Sequence, residues 1–146
     1  MNSEKILERL RQFLLIISAG VFIMTVTELT FLSHWSETIQ FLPFALSALG
    51  LITLAFAYFR PSRETITAMQ WSMILIAVCS LIGFYEHTLN NFAFRLEIAA
   101  NSTTSELIRA TLEGANPVLA PGILTVGAVI GLAAVYKHPA LERWKQ

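Results

Sequence analysis

The sequence predicts an all-α integral membrane protein, a bundle of four transmembrane helices with both termini in the cytoplasm. Three observations carry that expectation. Of 146 residues, 55% are hydrophobic and only 14% are charged, whereas about a quarter of an average soluble domain is charged. Four apolar stretches approach the roughly 20 residues that a helix needs to cross a hydrocarbon core. The few basic residues fall at alternating ends of those stretches, so that they gather on one side of the membrane.

Lys5, Arg9 and Arg11 precede the first apolar run. A secretory signal starts in the same way, but this run is too long for a signal core and no small-x-small site closes it. It is expected to persist as an uncleaved first span, Phe13–Leu32. Ile6, Leu7, Leu10 and Leu14 recur at helical spacing, which predicts an amphipathic lead-in over residues 4–12 on the membrane surface. Residues 33–40 make a tight turn into the second span, Phe41–Phe59. Residues 60–65 make another into the third, Ile66–Tyr85.

An excursion over residues 86–117 follows, 32 residues long, which is unusual for bare loop. Within it Thr103-Thr104-Ser105-Glu106 fits a capping box and Gly114 a stop, so a short helix is expected near 104–113. Phe92, Phe94, Leu96 and Ile98 alternate with Asn91, Ala93, Arg95 and Glu97. That periodicity leans to extended chain, although Leu89, Phe92 and Leu96 also fit a helix continuing the third span. Asn116-Pro117 reads as an N-cap followed by proline at the first helical position, opening the fourth span, Val118–Tyr136. Pro121 is expected to bend its start. Gly127 and Gly131 form a GxxxG pair, serving either packing inside the bundle or homodimerisation.

Orientation rests on the basic side chains. Lys5, Arg9, Arg11, Arg60, Arg63, Lys137, Arg143 and Lys145 fall on one side, and only Arg95 and Arg109 on the other. The positive-inside rule puts the larger set in the cytoplasm. Ten acidic residues, all Glu, balance ten basic ones. That balance argues against a nucleic-acid partner, which usually needs a basic face. The single cysteine, Cys79, excludes an internal disulfide and a cysteine zinc site. Trp35, Trp71 and Trp144, with Tyr85 and Tyr136, fit aromatic belts at span ends.

With that orientation the outer half is anionic. Glu28, His34 and Glu37 lie at the outer end of the first span and its turn. Glu86 and His87 lie at the outer end of the third, with Glu97 further on. Imidazole and carboxylate together suit a divalent transition metal, and the same groups suit proton exchange. His34 and Glu37 are three apart and would face one way on a helical turn. The set Glu28, His34, Glu37, Glu86, His87 and Glu97 is therefore the candidate metal or proton site. The competing interpretation places these side chains among the lipid headgroups, satisfying caps and exposed backbone. No HExxH, phosphate loop, nucleophile elbow or dinucleotide fingerprint occurs, and nothing in the sequence points to catalysis.

Two stretches carry a resemblance. One contains His34-Trp35 and Gln40-Phe41-Leu42-Pro43. The other runs from Gly83-Phe84-Tyr85-Glu86-His87 through Asn91-Phe92-Ala93-Phe94-Arg95-Leu96-Glu97 and Gly114-Ala115-Asn116-Pro117-Val118-Leu119-Ala120-Pro121-Gly122 to Tyr136-Lys137-His138-Pro139. This resembles a group of small four-span bacterial membrane proteins with no assigned activity. An acidic residue often stands in that group where Ala93 stands here. The resemblance implies a bacterial inner (plasma) membrane and supplies no site. The expected function is thus an inner-membrane protein with an extracytoplasmic His/Glu metal or proton-linked site. The alternative is a non-catalytic accessory subunit that docks a larger membrane partner. A transporter acting alone ranks last, because the middle of every span lacks charge.

Overall fold

Lipid leaves no water to satisfy bare backbone, so each long apolar segment closes its hydrogen bonds within a helix. The computed structural model describes residues 2–142. Arg143, Trp144 and Lys145 lie outside them. The described residues contain helices and turns and no strand. The helices are α1 (Ser3–Phe31), α2 (Leu42–Phe59), α3 (Arg63–Ile98), α4 (Thr104–Leu112), α5 (Gly122–Ala134) and a short α6 (Pro139–Glu142). A 3-10 turn, Thr38–Phe41, leads into α2.

Among the described residues, three helical segments are long and apolar enough to cross a membrane: α1, Thr38–Phe59 and α3. Helix α5 has 13 residues, about 20 Å at helical rise. The long helices and α5 form a closed ring in which α1 packs on α2, α2 on α3, α3 on α5 and α5 on α1. Their antiparallel course separates two ends. The basic end carries Lys5, Arg9, Arg11, Arg60, Arg63 and Lys137. The acidic end carries Glu28, His34, Glu37, Glu86 and His87.

Each inward stripe follows alternating three- and four-residue steps. Helix α1 buries Leu15, Ser18, Phe22 and Thr25. Helix α3 buries Ile66, Met69, Met73, Ile76 and Ser80. Outward faces are strongly apolar, with Met24 at 73%, Phe59 at 77% and Phe31 at 83% exposure. A water-soluble monomer rarely exposes a contiguous apolar surface on this scale. The outward faces are lipid-facing, and the fold is that of a helical membrane protein.

The GxxxG pair is engaged within the chain. A Cβ at Gly127 would meet Val21 Cγ1 at 3.0 Å, and one at Gly131 would meet Met73 Sδ and Ser18 Oγ at 3.1 Å. The close approach lets the buried Ser18 hydroxyl donate to the Gly127 carbonyl at 2.8 Å. At the basic end Arg11 donates to the Lys137 carbonyl at 2.9 Å. Lys137 takes a positive φ of 47° where the chain leaves α5.

Three expectations change. Residues 4–12 are helical as expected but continue straight into α1 rather than forming a separate surface helix. Residues 86–98 are helical, not extended, so α3 runs unbroken for 36 residues. An isolated extended segment would leave its backbone groups without a partner strand, and neither Gly nor Pro interrupts the chain from Phe84 to Ile98. The fourth helix starts at Gly122 rather than Val118. The cause is the spacing of Pro117 and Pro121. Pro121 has no N–H to give the carbonyl four residues back, and its ring clashes with that carbonyl. The chain instead passes through three-residue turns, with Ala120 N–H bonded to Pro117 O at 3.0 Å and Gly122 N–H to Leu119 O at 3.0 Å. The capping box does form: Thr103 caps α4, and Glu106 returns to the Thr103 N–H at 2.8 Å.

Candidate functional site: a cavity at the acidic end

Because α5 starts late, the acidic end of the ring is incompletely filled. A cavity of about 280 Å³ occupies the gap between α1, the 33–41 turn, the start of α2, α3 and the Pro117–Pro121 turns. Its floor is formed by buried Thr25, Leu46, Ser80 and Leu124. Its polar groups include Glu28 from α1, His34, Glu37 and Gln40 from the turn, Glu86, His87 and Asn90 from α3, and Asn116 before Pro117. Among the described residues no lysine or arginine lines it.

Each polar group is placed by local structure. The end of α1 closes with His34 N–H bonded to Leu29 O at 2.9 Å and Ser33 N–H to Thr30 O at 3.1 Å. Ser33 has φ 51°. This is the Schellman pattern, a left-handed residue satisfying the last helical carbonyls, and it turns His34 back over the bundle. Glu37 caps the 3-10 turn, and the Gln40 side-chain oxygen accepts from Ser36 N–H at 2.7 Å. Glu86 and His87 continue the inward stripe of α3.

His87 Nδ1 lies 2.9 Å from the Pro117 carbonyl oxygen. That oxygen carries no proton, so Nδ1 must donate and Nε2 is left to take a proton or a ligand. Pro117 O, which receives no N–H from Pro121, accepts from both the Ala120 N–H and the imidazole. A Cβ on Gly83 would come within 3.0 Å of the Pro121 ring, so this glycine lets the turn sit against α3. Burial first, then the charge of His87, lowers the His34 pKa below the usual imidazole value.

Five of the six candidates from the sequence therefore share one cavity. Glu97 does not: it sits ten residues beyond His87 on α3, about 15 Å along the axis. Among the described residues no group of three or more His, Cys, Asp or Glu is arranged to hold a metal ion.

The sequence reading missed the residue that shapes the cavity wall. Asn91 is 3% exposed. Its amide nitrogen donates to Thr111 O at 2.9 Å and Asn116 O at 2.7 Å, and its oxygen accepts from Asn116 N–H at 3.0 Å. This clamp ties the return strand after α4 to α3 and so fixes Pro117 over His87. Gly114 makes the clamp feasible, since a Cβ there would lie 2.4 Å from Asn91 Cγ. Ser80 and Thr125 were missed as well; their hydroxyls bond to each other beneath the cavity.

The fold and cavity define a class, a small helical membrane protein with a polar-rimmed pocket at one end of its bundle. No protein family, no curated protein and no solved structure matches the chain.

Proposed function

We propose that this is a four-span protein of the bacterial inner membrane with both termini in the cytoplasm and a proton-linked binding site open to the outer face. Helix α5 with its flanking turns supplies the fourth crossing. The distribution of Lys and Arg supports the orientation, and the resemblance to small bacterial membrane proteins supports the membrane. The observation that carries the site is the convergence of Glu28, His34, Glu86 and His87 on one cavity, with His87 fixed through Nδ1. A proton-linked role is preferred to a divalent metal, because a metal site needs three protein donors held together.

The test is a titration of isotope-labelled histidines by NMR in non-ionic detergent. His34 is expected to titrate below 6.5 and to move upward in His87→Ala, where the repelling charge is gone. An unchanged His34 midpoint in that variant overturns the reading. The topology has its own test: a reporter active only outside the cytoplasm stays silent when fused after Gln146.

A second reading, an accessory subunit of a larger membrane complex, is favoured by one observation. The hairpin of α4 on the end of α3 leaves Phe94, Ile98, Ile108 and Leu112 between 55% and 61% exposed. Recovery of one stoichiometric partner, lost when residues 99–117 are replaced by a short Gly/Ser linker, would establish it.

A further inference from the structure

We infer that the cavity binds a lipophilic organic cation, one ammonium group on a small apolar body, with the ammonium held by Glu28 and Glu86 and the body against Leu46 and Leu124. The inference rests on the proposed reading of this cavity as a binding site and names its ligand class.

Charge complementarity comes first. Carboxylates reach the rim from three separate elements, Glu28 on α1, Glu37 on the turn and Glu86 on α3, and among the described residues no lysine or arginine accompanies them. Of the two cations nearest in sequence, Arg109 is paired with Glu113 at 2.9 Å, and Arg95 lies two turns beyond His87 on α3. An anion would meet uncompensated carboxylates. A neutral amphiphile would strip water from them and offer nothing in return, which is costly. A bare divalent ion needs grouped donors that the described residues do not provide. An ammonium satisfies the carboxylates without fixed coordination geometry.

The rest of the cavity fits the apolar body. Below the rim the walls are mostly aliphatic and proline side chains. The volume of about 280 Å³ falls just below the usual range of ligand pockets, about 300 to 1,000 Å³, which suits a small ligand. Glu28 also borders a shallow groove with Met24, Thr27, Phe31 and Leu32 on the lipid-facing side of α1. A ligand arriving from the bilayer would meet this carboxylate on its way in.

Binding should weaken in acid. The titratable groups facing the ligand are Glu28 from α1, His34 and Glu37 from the turn, and Cys79, Glu86 and His87 from α3; α2 and α5 contribute none. Protonation of the carboxylates removes attraction, and protonation of the histidines adds repulsion.

Three probes of one shape isolate the charge: benzyltrimethylammonium, its carbon isostere neopentylbenzene, and phenylmethanesulfonate. Calorimetry on the full chain in non-ionic detergent at pH 7.5 is expected to show saturable binding of the ammonium alone. Affinity is expected to fall at least tenfold in Glu28→Gln/Glu86→Gln and again in wild type at pH 5. Binding of the isostere or sulfonate as tightly as the ammonium overturns the inference. So does undiminished ammonium binding in the double variant, or no ammonium binding by a protein whose His34 still responds to His87→Ala. That last result leaves the proton-linked reading standing. Ammonium binding that falls in Glu28→Gln/Glu86→Gln and at pH 5, in a protein whose His34 midpoint does not respond to His87→Ala, does the reverse. Added phosphatidylethanolamine that displaces the probe, where phosphatidylglycerol does not, identifies a lipid headgroup as the source of the ammonium. Displacement by neither lipid identifies a soluble cation.

Discussion

Removing the Asn91 clamp should release the return strand from α3 without unfolding the bundle. The amide makes three hydrogen bonds in a nearly water-free setting. At about 1 kcal/mol net each, Asn91→Ala forfeits about 3 kcal/mol of local stability. Gly114→Ala reaches the same state from the other side. Its Cβ would lie 2.4 Å from Asn91 Cγ and 2.6 Å from Oδ1, so the amide must leave. Since 1.4 kcal/mol is a factor of ten, 3 kcal/mol corresponds to about a hundredfold faster local opening. Amide hydrogen exchange over residues 104–117, read by mass spectrometry in detergent, should show that acceleration in both variants. The core stripe of α3 around Met73 should keep its protection. Exchange within threefold of wild type in both variants would refute the reasoning. Loss of protection throughout the protein would show instead that the clamp supports the whole fold.

Other consequences are open to measurement. Gly50→Ala should cost about 1–3 kcal/mol, because its Cβ would meet the ring of fully buried Phe22 at 2.9 Å. Gly20→Ala has open space and should gain up to about 1 kcal/mol in helix propensity; melting temperatures in one detergent should therefore move in opposite directions. Ser33→Gly should stabilise the protein by about 1 kcal/mol by relieving the left-handed backbone at φ 51°, and an equal or lower melting temperature would count against that strain. Burial, with the charge of His87 or Arg11, holds His34 and His138 below the ordinary imidazole value. The unfolded chain then binds more protons between the two values, so stability rises with pH there. The contribution is complete above 6.5 and is lost as the pH falls through the folded values. Melting temperature should drop in that window and drop less in His34→Gln/His138→Gln.

Much of this was legible from residue patterns. The long apolar runs announce helices, and Thr103 with Glu106 announces the cap of α4. The continuation of α3 was ambiguous because Phe92 to Ile98 satisfies both a period of two and a helical spacing. The buried stripe Ile66, Met69, Met73, Ile76, Ser80 resolves it: further helical steps of three or four lead through Gly83 and His87 to the buried Asn91. The change from apolar to polar along one helix face marks where packing gives way to the cavity. The onset of α5 was misplaced at Val118, because the Asn116-Pro117 cap signal outweighed a second proline four residues on that cannot close a helical turn. Asn91 was not readable. Its partners stand 20 and 25 positions away, and an asparagine in a polar stretch looks like any loop residue until the chain returns to it. The convergence of Glu28 with Glu86 likewise depends on how the helices are arranged around the ring.

The unbroken length of α3 couples its two halves mechanically. One half is wedged between α2 and α5, while the other carries the α4 hairpin beyond the bundle, and no joint separates them. His87 is fourteen helical steps beyond Met73, about 21 Å along the axis, so a tilt of about 5° about Met73 carries His87 sideways by about 2 Å. The Asn91 clamp makes the Pro117 strand travel with it. What changes is the separation from α1, which stands across the ring from α3 with no close backbone approach to it. The opening of the cavity between Glu28 and Glu86 is therefore set by the tilt of α3 relative to α1.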